Sequence, residues 1–377
     1  MQRPNFSLRL IVGRRKLMKS ETETSKPRIT RKTIIFPLIG LAAFLFYVYL
    51  FQVDISTIVE TAKRANPIIY GLASALCLIE VFFFAISWRV LARTLLIELS
   101  VMKSYLLVWY SIFVDTIIPA ESVSGEAVRV YMITREHGKE TCGRAVASLV
   151  AHRLLGMAMN VIVLIAGMIL LFTESQLEPL IFNLISIVAV GITFTLLLIM
   201  LLSFKEKWTL KIINGLVRIG KFLSRRKWNR QLTKMKEDAM DIAKSFHSAI
   251  KEYRHNPNTI ITSFLYLAVT WFFSLGIPYL VFVSLDYQVS WSVILITSTV
   301  VLAIKSIPLG IPFEVGIPEI AMTTLYTSLG VPPEISATAT ILIRLITLWL
   351  RFFIGFLAQQ WLELKPVLTQ TNNKLAE

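Results

Sequence analysis

Apolar positions in this chain come in long blocks rather than in the stripes of a soluble helix. Six blocks, at about 33–53, 67–97, 145–172, 180–204, 259–285 and 334–361, are long enough to cross a bilayer as helices. Two more, 101–118 and 291–307, are shorter, and each runs into proline. The first meets Pro119; the second meets PLGIPFEVGIPE at 308–319. Pro67 and Pro257 are placed to start helices. The stretch 205–258 is different. Ile212, Leu216 and Ile219 recur among Lys211, Arg218 and Lys221, and Met240, Ala243 and Phe246 recur later, which predicts amphipathic helices outside the hydrocarbon core.

Composition places the chain with membrane proteins: 55% of its 377 residues are hydrophobic and 17% charged. The net charge of +15 is concentrated in two segments. Residues 1–32 hold ten Lys and Arg against two acids, and residues 205–258 hold fourteen against five. Basic flanks beside apolar spans are what the positive-inside rule produces, and they attract anionic headgroups, so nucleic acid is not an expected partner. Cys77 lies in an apolar run and Cys142 in a polar loop, and the four histidines are scattered, so neither a disulfide framework nor a metal or cofactor site is expected. The first apolar run has no small-residue cleavage site behind it and reads as a retained span.

Charge parity sets the topology. If all five apolar runs before residue 205 crossed the membrane, the basic 205–258 segment would lie opposite the basic leader, against the positive-inside rule. Making 101–118 re-entrant puts both on the cytosolic side. The same treatment of 291–307 returns the C-terminus to the cytosol. The expected fold is therefore all-α, with six full spans and two re-entrant hairpins in two inverted repeats. The divisions are a cytosolic leader 1–32, a first repeat 33–172, a second repeat 173–361 carrying the basic insertion 205–258, and a cytosolic tail 362–377. A weak internal echo agrees. Pro119, Gly125-Glu126, Gly138, Ala145 and Arg153 are followed at similar spacing by Pro312, Gly316, Glu319, Gly330, Ala337 and Arg344.

IPAESVSGEAVRVYMITREHG followed by ASLVAHRLLG resembles the Pro…Gly-Glu…Arg loop and Arg-bearing span of the lysylphosphatidylglycerol synthase transmembrane region, also called the flippase-like domain. IPLGIPFEVGIPEIAMTTLYTSLGVPPEISATATILIRL is similar to that family's second hairpin and final Arg-bearing span. The resemblance covers roughly 33–360. The first hairpin departs from it in having Ser124-Gly125 where a glycine pair is common. The soluble aminoacyl-transferase domain of full-length synthases is not expected, so synthesis of lysyl-lipid is not carried over. What the resemblance implies is a flippase-like protein of the plasma membrane that moves or handles a phospholipid or an isoprenoid-linked sugar.

Such a protein needs a polar route through about 30 Å of hydrocarbon. A phosphate calls for arginine, and a cationic headgroup calls for carboxylates. Arg153 and Arg344 are then the expected phosphate partners, with Glu126 and Glu319 pairing to them or to a cationic headgroup. Arg129, three residues after Glu126, is placed to close an ion pair on one helical face. Glu80, Asp115, Glu121, Lys305 and Glu314 form a second rank. Arg129, Arg351 and Lys305 read equally well as structural ion-pairing groups, and His152 reads as a packing histidine. The competing reading is a membrane-embedded enzyme or accessory of polyprenyl-phosphate-sugar metabolism. The chain has no Gly-x-Ser-x-Gly elbow, phosphate-binding glycine loop or His-Glu-x-x-His, so catalysis is not expected.

Overall fold

In the computed structural model, residues 55–118, 123–174, 229–305 and 316–375 are described, with scattered positions between 183 and 215. The leader, the expected first span, Glu121, Glu314 and most of the expected fourth span lie outside these residues. All regular structure among them is helical. In chain order the helices are α1 (Ile55–Arg64), α2 (Pro67–Thr94), α3 (Val101–Ile117), α4 (Val123–His137), α5 (Cys142–Glu174), α6 (Asn229–His255), α7 (Pro257–Ser284), α8 (Trp291–Lys305), α9 (Ile317–Ser328), α10 (Pro333–Arg344) and α11 (Arg351–Leu375). A π-helical turn, Leu345–Leu350, joins α10 to α11, so the expected last span is one continuous but wound-out helix. Among the described residues, four stretches are long and apolar enough to cross a membrane: Pro67–Thr94, Lys139–Thr173, Pro257–Ser284 and Pro333–Glu363.

Local chemistry sets the helix ends. Asn66 caps α2 by accepting from the Ile68 and Ile69 amides, with Pro67 in the first turn where no amide partner is needed. The expected second span reached Ile97, but the helix stops at Thr94. Leu96 turns to φ 59° there, and the Ile97 amide donates back to the Ala92 carbonyl. The end of α7 repeats this geometry, with Asp286 at φ 56° and the Tyr287 amide donating to the Phe282 carbonyl. The return helices α4 and α9 are followed by Gly138 and Gly330, at φ 92° and 93°, a conformation that glycine adopts without strain.

Helices α2 and α7 form the centre and run antiparallel. The Asn66 amide at the start of α2 donates to the Ser284 carbonyl at the end of α7, 2.7 Å away. Ser87 and Ser263 exchange hydrogen bonds midway to the other end, each hydroxyl donating to the other's carbonyl at 2.8 and 3.1 Å. Small residues at the crossing let the two backbones approach, as in membrane helix pairs.

Helices α3 and α4 form a hairpin. Lys103 and Glu136 close its base with a salt bridge, and Asp115 closes its tip. With 17 and 15 residues, its limbs span about 25 and 22 Å, short of the ~30 Å hydrocarbon thickness. Helix α3 packs along α11, where Gly355 admits it: a Cβ there would sit 2.5 Å from the Trp109 carbonyl oxygen. Helix α8 packs along α5, close to Gly167. Helix α6 docks on α5 at Gly143, where a Cβ would meet Ser245 at 2.4 Å. Tyr253 of α6 donates to the Leu91 carbonyl at 3.0 Å, and burial pushes its phenol above the ordinary range.

Candidate functional site

The charged residues of the hairpins come together in pairs. In the first half, Asp115 at the end of α3 accepts from the Ser124 hydroxyl at 2.6 Å and the Gly125 amide at 2.7 Å, which anchors the first turn of α4. Gly125 must lack a side chain, because a Cβ would meet Asp115 Oδ2 at 2.3 Å and the Ser111 carbonyl oxygen at 2.5 Å. One residue on, Glu126 Oε1 faces Arg153 Nη1 of α5 at 3.5 Å. Both side chains keep access to the surroundings, 22% for Glu126 and 32% for Arg153. This ion pair is long and partly open.

In the second half the corresponding pair is tight. Glu319, at the third position of α9, reaches back to accept from the Gly316 amide at 2.7 Å with one oxygen. Its other oxygen accepts from Arg344 Nε at 2.5 Å. These side chains are only 4% and 7% exposed. Gly316 sits at φ 102°, which glycine alone adopts cheaply. Thr323 of α9 donates to Thr340 of α10 at 3.2 Å beside the pair.

A third pair joins the halves. Arg351, the first residue after the π-helical turn, binds Glu80 near the middle of α2 and donates from Nε to Cys77 Sγ at 3.3 Å. Lys305, at the end of α8, lies within electrostatic reach of Glu80. The π-helical turn Leu345–Leu350 lies between Arg344 and Arg351 and sets the face that each presents. Nothing in the sequence marked Cys77 as a neighbour.

Arg129 is electrostatically coupled to Glu126, the partner expected for it, and makes a second contact that the spacing did not suggest. Its guanidinium lies over the Trp88 ring, 5.0 Å from the centroid, and the residue is 6% exposed. Nε and Nη1 are buried with no hydrogen-bond partner. Trp88 spends its own indole N–H on Ser148 at 3.2 Å. His152, expected to be a satisfied packing histidine, has its ring edge on Phe84 but Nε2 buried and unpartnered. Trp88 itself is fully buried. Among the described residues no group of three or more His, Cys, Asp or Glu is positioned to share a metal ion.

Among the described residues the site thus offers three guanidinium–carboxylate pairs of unequal tightness and one buried guanidinium with two unbonded nitrogens. Fixed groups of both signs, held in an apolar helical frame, suit a ligand with a charged head and apolar tails. A sequence profile of the lysylphosphatidylglycerol synthase transmembrane region matches residues 37–355. The chain is 24% identical to a UPF0104 membrane protein of Pyrococcus horikoshii, over 84% of this chain and 94% of that one. It is also 24% identical to a UPF0104 membrane protein of Methanocaldococcus jannaschii, over 88% of this chain and 95% of that one.

Proposed function

Because the chain belongs to the lysylphosphatidylglycerol synthase transmembrane-region family, we propose that it is a flippase-like membrane protein handling or translocating a phospholipid or isoprenoid-linked sugar. The observation that carries the reading is the Glu–Arg pair at the root of each return helix, Glu126–Arg153 and Glu319–Arg344. Charges at membrane depth are costly and mark polar pathways. The role is transport without chemistry on the substrate.

The frame of the proposal is six full spans and two re-entrant hairpins in inverted repeats. Several features support it. The central helices α2 and α7 begin alike at Asn-Pro, end in the same left-handed cap, and run antiparallel. Each hairpin's first limb packs on the other half's last span, α3 on α11 and α8 on α5. Helix α1 packs on α10 as α6 packs on α5. In this frame the protein lies in the plasma membrane with both termini cytosolic, and the basic 205–258 segment meets anionic headgroups.

The test is reconstitution of the full chain in liposomes with labelled lipids in one leaflet. Wild-type protein should equilibrate the label between leaflets, while Arg153→Ala and Arg344→Ala should slow it. Loss of stability with transport intact in both variants sinks the site assignment. A changed lipid product without movement would favour the enzyme reading.

A further inference from the structure

The two halves differ in one respect that the paired charges do not explain. Three residues after Glu126 stands Arg129, whereas three residues after Glu319 stands Met322. His152 precedes Arg153, whereas Ile343 precedes Arg344. The first half therefore carries two extra polar groups at positions that the second half fills with apolar ones. Both are buried, and both leave nitrogen atoms without a partner: Nε and Nη1 of Arg129, and Nε2 of His152. The two side chains interact electrostatically, so they share one neighbourhood.

A guanidinium buried with idle N–H groups is costly, and packing alone would have been served by another methionine. The stacking on Trp88 fixes the plane of the fork while leaving its edge unused. Two carboxylates, Glu126 and Asp115, act on its charge, yet neither accepts a hydrogen bond from Nε or Nη1. Asp115 holds Ser124 and Gly125, and Glu126 faces Arg153. What the idle donors lack is a set of acceptor oxygens.

We infer that Arg129 and His152 form an oxyanion site for the phosphodiester of a lipid headgroup, or for a free phosphate, with the Glu126–Arg153 pair as its gate. The site rests on the transport reading for its biological use. The planar guanidinium of Arg129 has two bidentate edges, Nε with Nη2 and Nη1 with Nη2, and each of its two unbonded donors, Nε and Nη1, opens one of them to phosphate oxygens. His152, in the tautomer protonated on Nε2, donates to the same anion while neutral. The gate is the partly exposed 3.5 Å pair, whose parting exposes Arg129 behind it and frees Arg153 as a second cation. In the second half, Met322 and Ile343 stand at the positions of Arg129 and His152, and the Glu319–Arg344 pair is closed at 2.5 Å.

The full chain purified in detergent can be titrated with phosphatidylglycerol, with diacylglycerol of the same acyl chains, and with inorganic phosphate, reading occupancy by native mass spectrometry. Wild-type protein should prefer phosphatidylglycerol to diacylglycerol. Arg129→Met should erase that preference with a loss of roughly 10- to 100-fold, as for a lost charge-assisted hydrogen bond. The unfolding midpoint of ligand-free Arg129→Met should be unchanged or raised, because the variant removes two buried N–H donors that have no hydrogen-bond partner. Arg129→Lys, which keeps charge and bulk, should lose most of the preference too and covers the case of a misfolded methionine variant. Inorganic phosphate binding as tightly as the lipid would make the ligand a free oxyanion and leave the site standing. The inference is overturned if neither phosphate-bearing probe is preferred over diacylglycerol, which would mean that water alone fills the site. A variant that lowers the unfolding midpoint and still prefers phosphatidylglycerol overturns it as well. Headgroup binding lost in Arg129→Met, with no lipid movement by wild-type protein in liposomes, would remove the transport reading and keep the site.

Discussion

Glu126, Arg153, Glu319 and Arg344 stand out in the sequence because charges inside apolar runs are rare. The structure gives the two pairs different weights. Glu319→Gln neutralises the buried carboxylate that accepts from Arg344 Nε and should cost about 3–5 kcal/mol. Glu126→Gln breaks a long, partly exposed pair and should cost about 1 kcal/mol or less while impairing lipid movement. Denaturation of the two variants side by side, in the same detergent, checks the contrast; equal losses would contradict it. The spacing of Glu126 and Arg129 pointed to their electrostatic coupling, but not to the tryptophan 41 positions earlier that the guanidinium lies over. Period and spacing report which face of a helix a residue occupies, but not which distant ring covers that face. For the same reason His152 looked satisfied in the sequence, where its missing partner leaves no trace.

Among elements, the helix starts were legible where a hard chemical reason exists. Asn66-Pro67 and Asn256-Pro257 begin α2 and α7, and Gly138 and Gly330 end α4 and α9. The left-handed cap at Leu96 was not legible, because leucine seldom takes positive φ; Asp286 is of a type enriched there, but an aspartate by itself does not mark a cap. Nor was the π-helical turn legible: it adds a register shift with no sequence mark of its own. Glycines at crossings were visible only as glycines, and their contacts had to come from the structure. Gly125→Ala drives a methyl into Asp115 and the Ser111 carbonyl, so the root of the return helix must shift. It should destabilise by about 1–3 kcal/mol. Gly355→Val should do the same at the α3–α11 crossing, while Gly156→Ala, with nothing within 4 Å, should be neutral. A common thermal shift for all three would mean that close backbone approach is not what the glycines provide.

The molecule as a whole is where inference from charge parity and inference from contacts meet. Parity asks for two hairpins dipping from opposite faces, and the antiparallel α2–α7 centre is the arrangement that such repeats need. In a background with Cys77→Ala and Cys142→Ser, Lys139→Cys should be labelled by a membrane-impermeant maleimide only from the cytosolic side. Ser328→Cys should be labelled only from the outer side. Labelling of both from one side would refute the inverted arrangement. The sequence suggested this plan through spacing alone, and it could not say which helix each hairpin would rest against.

That last detail bears on how the protein is made. Helix α3 leaves the ribosome early, yet the groove it occupies is lined by α11, whose Gly355 lies some 240 residues further on. The first hairpin must wait, half assembled, while nearly all the rest of the chain is synthesised and inserted. A chain stopped at Val331 should therefore lose protection from proteolysis around α3 as well as lacking its last helix. Supplying residues 332–377 as a separate polypeptide in the same membrane should restore that protection, as if the final helix were the key that locks the first.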